Sequence, residues 1–224
     1  MAQIELIDIH KQYVVGNSTV TALSKTSLTI DKGDFVSIVG HSGSGKTTLI
    51  SIIGGILKPS SGKVLFEGSD IGSFDDESAS AYRNQKIGFM FQFASLLPIL
   101  SARDNVLIAD LFSKHRQADA ESKAQTLLQM MGIGDKVNSY PAQLSGGQQR
   151  RVAIARALLN NPKVILADEP TGDLDEETEA EIMTLFKELN EKHQVTIILI
   201  THSQDLASQA RTRYRMAKQN LIKL

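Results

Sequence analysis

The 224-residue sequence predicts an α/β fold: a mainly parallel sheet, an N-terminal antiparallel β subdomain and an inserted helical subdomain. Three observations predict it. The opening segment alternates apolar and polar residues, as half-buried strands do. Further along, apolar runs of strand length alternate with amphipathic helical stretches, the pattern of a parallel sheet covered by helices. Residues 93–144 interrupt that alternation with helices and loops and no convincing strand. The reading is one domain over residues 1–224, with 1–92 and 145–224 as the α/β core and 93–144 as the helical subdomain.

The elements follow in order. IELIDI alternates as a strand, and after a turn at residues 31–33 the apolar run FVSIV leads straight into a glycine-rich loop. A helix is expected over residues 46–57, stopped by Pro59 and Gly62. LKPSSGKVLFEG reads as a turn and a short strand, and a polar helix at residues 75–84 precedes the strand KIGFMF. Within the insert, ADAESKAQTLLQMMG is the clearest helix, closed by Gly132. The helix from Gln148 places Val152, Ala155, Leu158 and Leu159 on one side, and KVILAD follows Pro162 as a strand. EETEAEIMTLFKELNEKHQ carries Ile182, Leu185, Phe186 and Leu189 at helical spacing. VTIILI is a second buried strand, and residues 211–224 read as a hairpin turning at 218–220.

Composition narrows the function. Hydrophobic residues are 42% and charged residues 22%, ordinary for a soluble globular protein. A net charge of −1 gives no electrostatic footprint for nucleic acid or an anionic membrane surface. With no cysteine, disulfides and thiolate metal sites are excluded, which fits a reducing compartment. The N-terminus lacks a basic start followed by an apolar run, so no signal peptide is expected. VTIILI falls far short of the roughly 20 residues that span a bilayer. If the protein works at a membrane, another chain must hold it there.

GHSGSGKT at residues 40–47 fits G-x-x-x-x-G-K-[ST], and it stands between a buried strand and a helix, as that motif requires. Gly40, Gly43 and Gly45 let backbone N–H groups turn inward around phosphates, and the helix N-terminus adds its unpaired N–H groups. Ser42, Ser44 and Thr48 complete the expected phosphate-binding set. Lys46 can reach the β- and γ-phosphates, and the Thr47 hydroxyl can ligate Mg²⁺. VILADEP places Asp168 and Glu169 at the C-terminal end of a core strand, where open parallel sheets bind ligands. Asp168 is the expected Mg²⁺ ligand, and Glu169 is placed to orient or deprotonate the attacking water. Gln92 and His202 are polar residues that likewise follow apolar runs, which suggests that four strand ends converge on one site. A second glycine turn opens LSGGQQRRVAIARALL at Leu144. It lacks the Lys–Thr pair that holds β-phosphate and Mg²⁺, so it cannot be a complete site.

These residues resemble the ATP-binding-cassette ATPases, motor subunits of transporters built on a P-loop NTPase core, over nearly the whole chain. GHSGSGKTT is similar to the family's Walker A loop, VILADE to its Walker B strand, and LSGGQ matches its signature residue for residue. Gln92 falls at the Q-loop glutamine, His202 at the switch histidine, TGDLD with Asp175 at the D-loop, and Tyr13 where an aromatic stacks on adenine. The resemblance implies ATP and Mg²⁺ as ligands, with Lys46, Gln92, Glu169 and His202 in catalysis and Thr47, Gln92 and Asp168 on the metal. It implies a head-to-tail homodimer in which Ser145, Gly146, Gly147 and Gln148 complete the partner copy's ATP site and Asp175 bridges the subunits. It also implies that FASLLPILSARDNV forms a groove for an integral membrane permease, at the cytoplasmic face of the inner membrane.

A finer resemblance, carried by DEPTGDLD, SLLPILSARDNV and a short chain without a C-terminal regulatory domain, is to the exporter group serving lipoprotein release, macrolide efflux and cell division. Asp173 stands where that group commonly has Asn. The resemblance implies export of a hydrophobic or lipid-linked substrate. The alternative is an ATP-gated regulatory subunit that signals through a membrane complex without transport. A cassette ATPase acting on DNA or ribosomes is disfavoured. The interval between the two glycine turns holds no sustained heptads, and the chain carries a single cassette.

Overall fold

The computed structural model describes residues 2–16, 18–113, 117–172 and 174–224, so Asp173 lies outside the described residues. The chain forms β1 (Ala2–Val15), β2 (Ser18–Asp31), β3 (Phe35–Val39), α1 (Lys46–Ile53), β4 (Ser61–Phe66), β5 (Ser69–Asp70), α2 (Asp76–Gln85), β6 (Ile87–Met90), α3 (Ala102–Leu111), α4 (Ala120–Met130) and α5 (Gly146–Leu158). It continues through β7 (Val164–Asp168), α6 (Glu176–His193), β8 (Thr196–Thr201), α7 (Gln204–Ser208), β9 (Thr212–Ala217) and β10 (Asn220–Lys223). Two compact units are built from these elements, residues 1–80 with 196–224, and residues 81–195.

In the first unit β1 lies between β2 and β4, antiparallel to both, with β5 on the outer edge of β4. One face buries Ile4, Leu6, Leu28, Ile30 and Val64, each worth on the order of 1.5–3 kcal/mol. The same unit holds the ladder β10-β9-β3-β8, in which β3 is parallel to both β8 and β9. Every residue of β3 and β8 is buried, which is why both read as continuous apolar runs rather than alternating ones. Helix α1 ends at Ile53, before the expected Leu57, because the pair Gly54–Gly55 intervenes: Gly54 is the C-cap and Gly55 has φ +67°. The closing hairpin turns on Lys218 and Gln219, both at positive φ as a tight two-residue hairpin loop demands, so Asn220 already belongs to β10.

In the second unit β6 and β7 pair in parallel. Helix α5 buries Val152, Ala153, Ile154, Ala155 and Leu158. A Cβ on Gly88 would lie 2.8 Å from the Ala157 carbonyl oxygen, so this glycine lets β6 approach α5 closely. Arg151 ties α5 to its neighbours, donating to the Met131 carbonyl at 2.8 Å and to Glu181 at 2.6 Å. Gly132, at φ +71°, closes α4 as the sequence predicts. Between residues 93 and 144 the described residues form helices and short 3₁₀ turns and no strand. Among the described residues no helix is long and apolar enough to cross a membrane.

Candidate functional site

The first unit carries Tyr13, the phosphate loop and His202. The parallel pairing sets Val39 of β3 beside Thr201 of β8, so the loop and His202 leave the same sheet edge side by side. Gly45 is the N-cap of α1, with φ +107° and no side chain to cap the helix. A Cβ on Gly45 would sit 2.4 Å from the Ala22 carbonyl oxygen, and one on Gly40 would sit 2.5 Å from that of Met216. Both positions therefore admit only glycine. Gly43, at φ +75°, faces open space. The Lys46 ammonium is folded back to donate to the carbonyls of Gly40 at 2.6 Å and His41 at 3.0 Å. The Ser44 hydroxyl is buried without a hydrogen-bond partner among the described residues. An uncapped helix start, an orphaned hydroxyl and a lysine held by loop carbonyls together fit a bound polyanion. Ser42 and Thr47 are exposed, and Thr48 is half-buried in the first turn of α1.

Tyr13 pairs with Val20 on β2, two residues from the Ala22 carbonyl that abuts Gly45. Its ring is partly exposed and carries the Lys11 ammonium 5.2 Å from its centroid, a cation–π contact.

The second unit carries Gln92, the signature, the acidic pair and Asp175. Here Met90 of β6 lies beside Ala167 of β7, so Gln92 and Asp168–Glu169 emerge from the same end of that ladder. Gln92 is exposed and Asp168 buried. Glu169 has φ +47°, a left-handed conformation that costs a non-glycine residue on the order of 1–3 kcal/mol and is typical of functional positions. The turn after it is closed by the Gly172 N–H donating to the Glu169 carbonyl at 3.2 Å, and by the Thr171 hydroxyl donating to Glu179 at 3.0 Å.

The signature begins a helix rather than a loop. Gly146 and Gly147 are helical residues, two positions before the expected start at Gln148. Ser145 Oγ accepts from the Gln148 N–H at 3.2 Å, and Gln148 Oε1 accepts from the Ser145 N–H at 2.9 Å, a complete capping box. A Cβ on Gly147 would meet Thr178 Cγ2 at 2.5 Å, so the N-termini of α5 and α6 lie together. Asp175 caps α6: its two carboxylate oxygens accept from the Thr178 N–H and the Thr178 hydroxyl, each at 2.9 Å. Those bonds hold its carboxyl below the usual aspartate range.

Arg150 is the residue that sequence reasoning passes over. It is 5% exposed, and its guanidinium donates to the carbonyls of Phe91 at 2.9 Å, of Gln92, and of Gly172 at 3.4 Å. The signal was available: position 150 stands three and four residues before the buried Ala153 and Ile154, a charge on an apolar face.

Beyond Gln92 the buried Asn105 shapes the following loop, accepting from the Leu97 N–H and donating to the carbonyls of Leu97, Leu100 and Ser101. A groove of about 350 Å³ is lined by the stacked rings of Phe89 and Phe91, by Phe112 and by Arg156. Arg156 donates to the carbonyls of Ala94 and Ser95, and its burial lowers its pKa from the ordinary arginine value.

No cluster of three or more histidines and carboxylates that could hold a metal occurs among the described residues. The predicted ligands, the Thr47 hydroxyl, the Gln92 amide oxygen and the Asp168 carboxylate, are hard oxygen donors. That set suits Mg²⁺, which takes few carboxylates and leaves its other positions to water and phosphate.

The ABC transporter family profile matches residues 23–172. The macrolide export ATP-binding/permease protein MacB of Syntrophobacter fumaroxidans is 46% identical over 218 residues, covering 96% of this chain and 30% of that protein. The chain thus spans under a third of that relative's length. The lipoprotein-releasing system ATP-binding protein LolD of Syntrophotalea carbinolica is 42% identical over 207 residues, covering 92% of this chain and 91% of the relative. The structure matches the dimeric post-hydrolysis state of the ATP-binding cassette MJ0796 bound to ADP and Pi, with a TM-score of 0.90 at 40% identity over 99% of this chain and 98% of that one. On sequence and fold together, the chain belongs to the ABC transporter family, as an ATPase cassette.

Proposed function

We propose that the chain binds and hydrolyses ATP as the motor subunit of an ABC exporter, two copies working head to tail on a separate membrane-spanning permease. The phosphate loop is the observation that carries this reading: a glycine-capped helix start, a lysine held on loop carbonyls and a buried hydroxyl with no partner. The backbone N–H groups of residues 43–48 and the Lys46 ammonium receive the β- and γ-phosphates, and Ser44 finds there the partner its own chain does not supply. Tyr13 stacks on the adenine. Thr47, Gln92 and Asp168 hold Mg²⁺, which neutralises phosphate charge when bound. Glu169, fixed by its strained backbone, orients the attacking water and accepts its proton, and His202 contacts the γ-phosphate.

Ser145, Gly146, Gly147 and Gln148 close on the nucleotide of the second copy, and Asp175 bridges the two subunits. A dimeric structure of the similar cassette MJ0796 supports this arrangement. Residues 93–144 act as the helical subdomain, and the segment FASLLPILSARDNV, whose Ser95 lines the aromatic groove, receives the permease at the cytoplasmic face of the membrane. Names of relatives that refer to macrolide export and to lipoprotein release support a hydrophobic or lipid-linked cargo.

Two substitutions test the reading. Lys46→Ala should lower ATP turnover by on the order of 10²–10³-fold. Glu169→Gln should bind ATP, stall hydrolysis and accumulate as a dimer in gel filtration. Turnover at the wild-type rate by Glu169→Gln would remove Glu169 from the chemistry, and a wild-type protein inert toward MgATP would sink the proposal.

A further inference from the structure

We infer that Arg150 is a positioning residue of the ATPase reaction: its one guanidinium holds the glutamine loop and the turn behind Glu169 in register with the signature helix. The inference rests on the proposed ATP hydrolysis and goes beyond it, because the carbonyls that Arg150 holds are not among the expected nucleotide contacts.

Three carbonyls define the role. Phe91 and Gln92 lie in the segment leaving β6, and Gly172 lies in the turn that begins at Glu169. Arg150 itself belongs to α5, whose N-terminus is the signature. Two segments that carry expected catalytic residues are therefore attached to the helix that meets the second nucleotide. A shift of α5 as the signature engages phosphate carries the Gln92 backbone and the Glu169 turn with it. Phe91 extends the chain of contacts to the groove, where its ring stacks on Phe89.

The chemistry requires arginine. A guanidinium has five N–H donors in a rigid fork, so it serves three carbonyls in different directions. Lysine keeps the charge but not the fork, and glutamine offers only two N–H donors. At 5% exposure water does not readily replace a lost bond, so a lost donor leaves a carbonyl unpaired and the segment free to drift. Drift of about 1 Å at a reacting group is enough to cost roughly 100-fold in rate.

The test uses the full chain. Arg150→Lys should retain cooperative thermal unfolding and a KM for ATP within about twofold of wild type, while kcat falls by roughly 10–100-fold. Arg150→Ala should lose turnover in the same way and regain part of it when guanidinium is added well below denaturing concentrations, whereas methylammonium should not restore it. Should alanine fail to fold, Arg150→Gln gives the same kcat-against-KM separation. Wild-type kcat in the folded variants overturns the inference while leaving ATP hydrolysis standing. So does a loss of kcat that only tracks the fraction folded and ignores guanidinium. Absence of turnover in the wild-type protein overturns the functional reading itself.

Discussion

The two glycine turns each begin a helix, α1 and α5, yet they treat the helix N-terminus in opposite ways. At α1 a glycine in the left-handed region stands at the cap and supplies no capping side chain, and the Ser44 hydroxyl is buried without a partner among the described residues. At α5 both signature glycines are helical, and Ser145 and Gln148 satisfy each other's backbone N–H groups. The first turn has no capping side chain of its own, and on the proposed reading an anion completes it. The second satisfies two of its orphan N–H groups, those of Ser145 and Gln148, with its own side chains. The capping bond uses a lone pair of the Ser145 hydroxyl and leaves its hydrogen to donate outward. An accessory contact to a second copy's phosphate therefore needs no rearrangement of the helix start. The difference separates a turn built to bind from a turn built first to hold its helix.

The hardest strain on that distinction is Ser145→Arg. A bulky cation at the start of α5 should block close approach of another copy's nucleotide, and α5 belongs to a different unit from the phosphate loop. Turnover should fall by on the order of 10²–10³-fold, and the ATP-driven dimer should vanish, while the isolated monomer binds ATP as wild type does. Nucleotide binding followed by fluorescence titration, beside gel filtration with and without ATP, reads both. A monomer that no longer binds nucleotide would assign the second turn to its own subunit's site and erase the contrast.

A smaller and sharper test compares two serines. Ser145→Ala removes a helix cap and should lower stability by about 1 kcal/mol, roughly 2–4 °C in Tm for a chain of this size. Ser44→Ala removes a buried hydroxyl that has no partner, so the nucleotide-free protein should melt at the same temperature or slightly higher. The cost of Ser44→Ala should appear instead in ATP affinity, as a loss of roughly tenfold. Equal destabilisation by the two substitutions would mean that both hydroxyls serve the fold alike.

Most of the fold was legible because its signals are local. The buried strands FVSIV and VTIILI, the amphipathic α6 and the glycine closing α4 follow from burial period and backbone preference, which a single segment carries. Helix α1 stops short of Pro59 and Gly62 because the nearer Gly54–Gly55 pair ends it first. Helix α5 starts two residues before Gln148 because, although two glycines suggest a loop, the S-x-x-Q spacing of Ser145 and Gln148 spells a capping box. At the candidate site, strand ends were readable as positions, since a polar residue after an apolar run marks the edge of a ladder. The orphaned Ser44 hydroxyl and the three bonds of Arg150 were not, because each depends on groups far away in sequence, such as Phe91 and Gly172.

The smallest effect concerns a third helix start, that of α6, which resembles α5 in being closed by its own side chain. Asp175 accepts from the Thr178 N–H and hydroxyl, and these bonds hold its carboxyl below the ordinary value of about 3.9. A folded-state pKa lower than the unfolded one contributes stability above the unfolded value and loses it as pH falls through the folded value. Thermal melts from pH 7 downward should therefore show the Asp175 contribution intact until below about pH 4 and fading under it. Asp175→Asn keeps a capping oxygen but cannot titrate, so the gap in Tm between the wild type and this variant should narrow across that acid range. Because the carboxylate is exposed, added salt should shrink the gap at neutral pH as well. A gap that stays constant from neutral to acid would mean that the cap acts through geometry alone, and α6 would then match the uncharged box at α5 rather than add a charge to it.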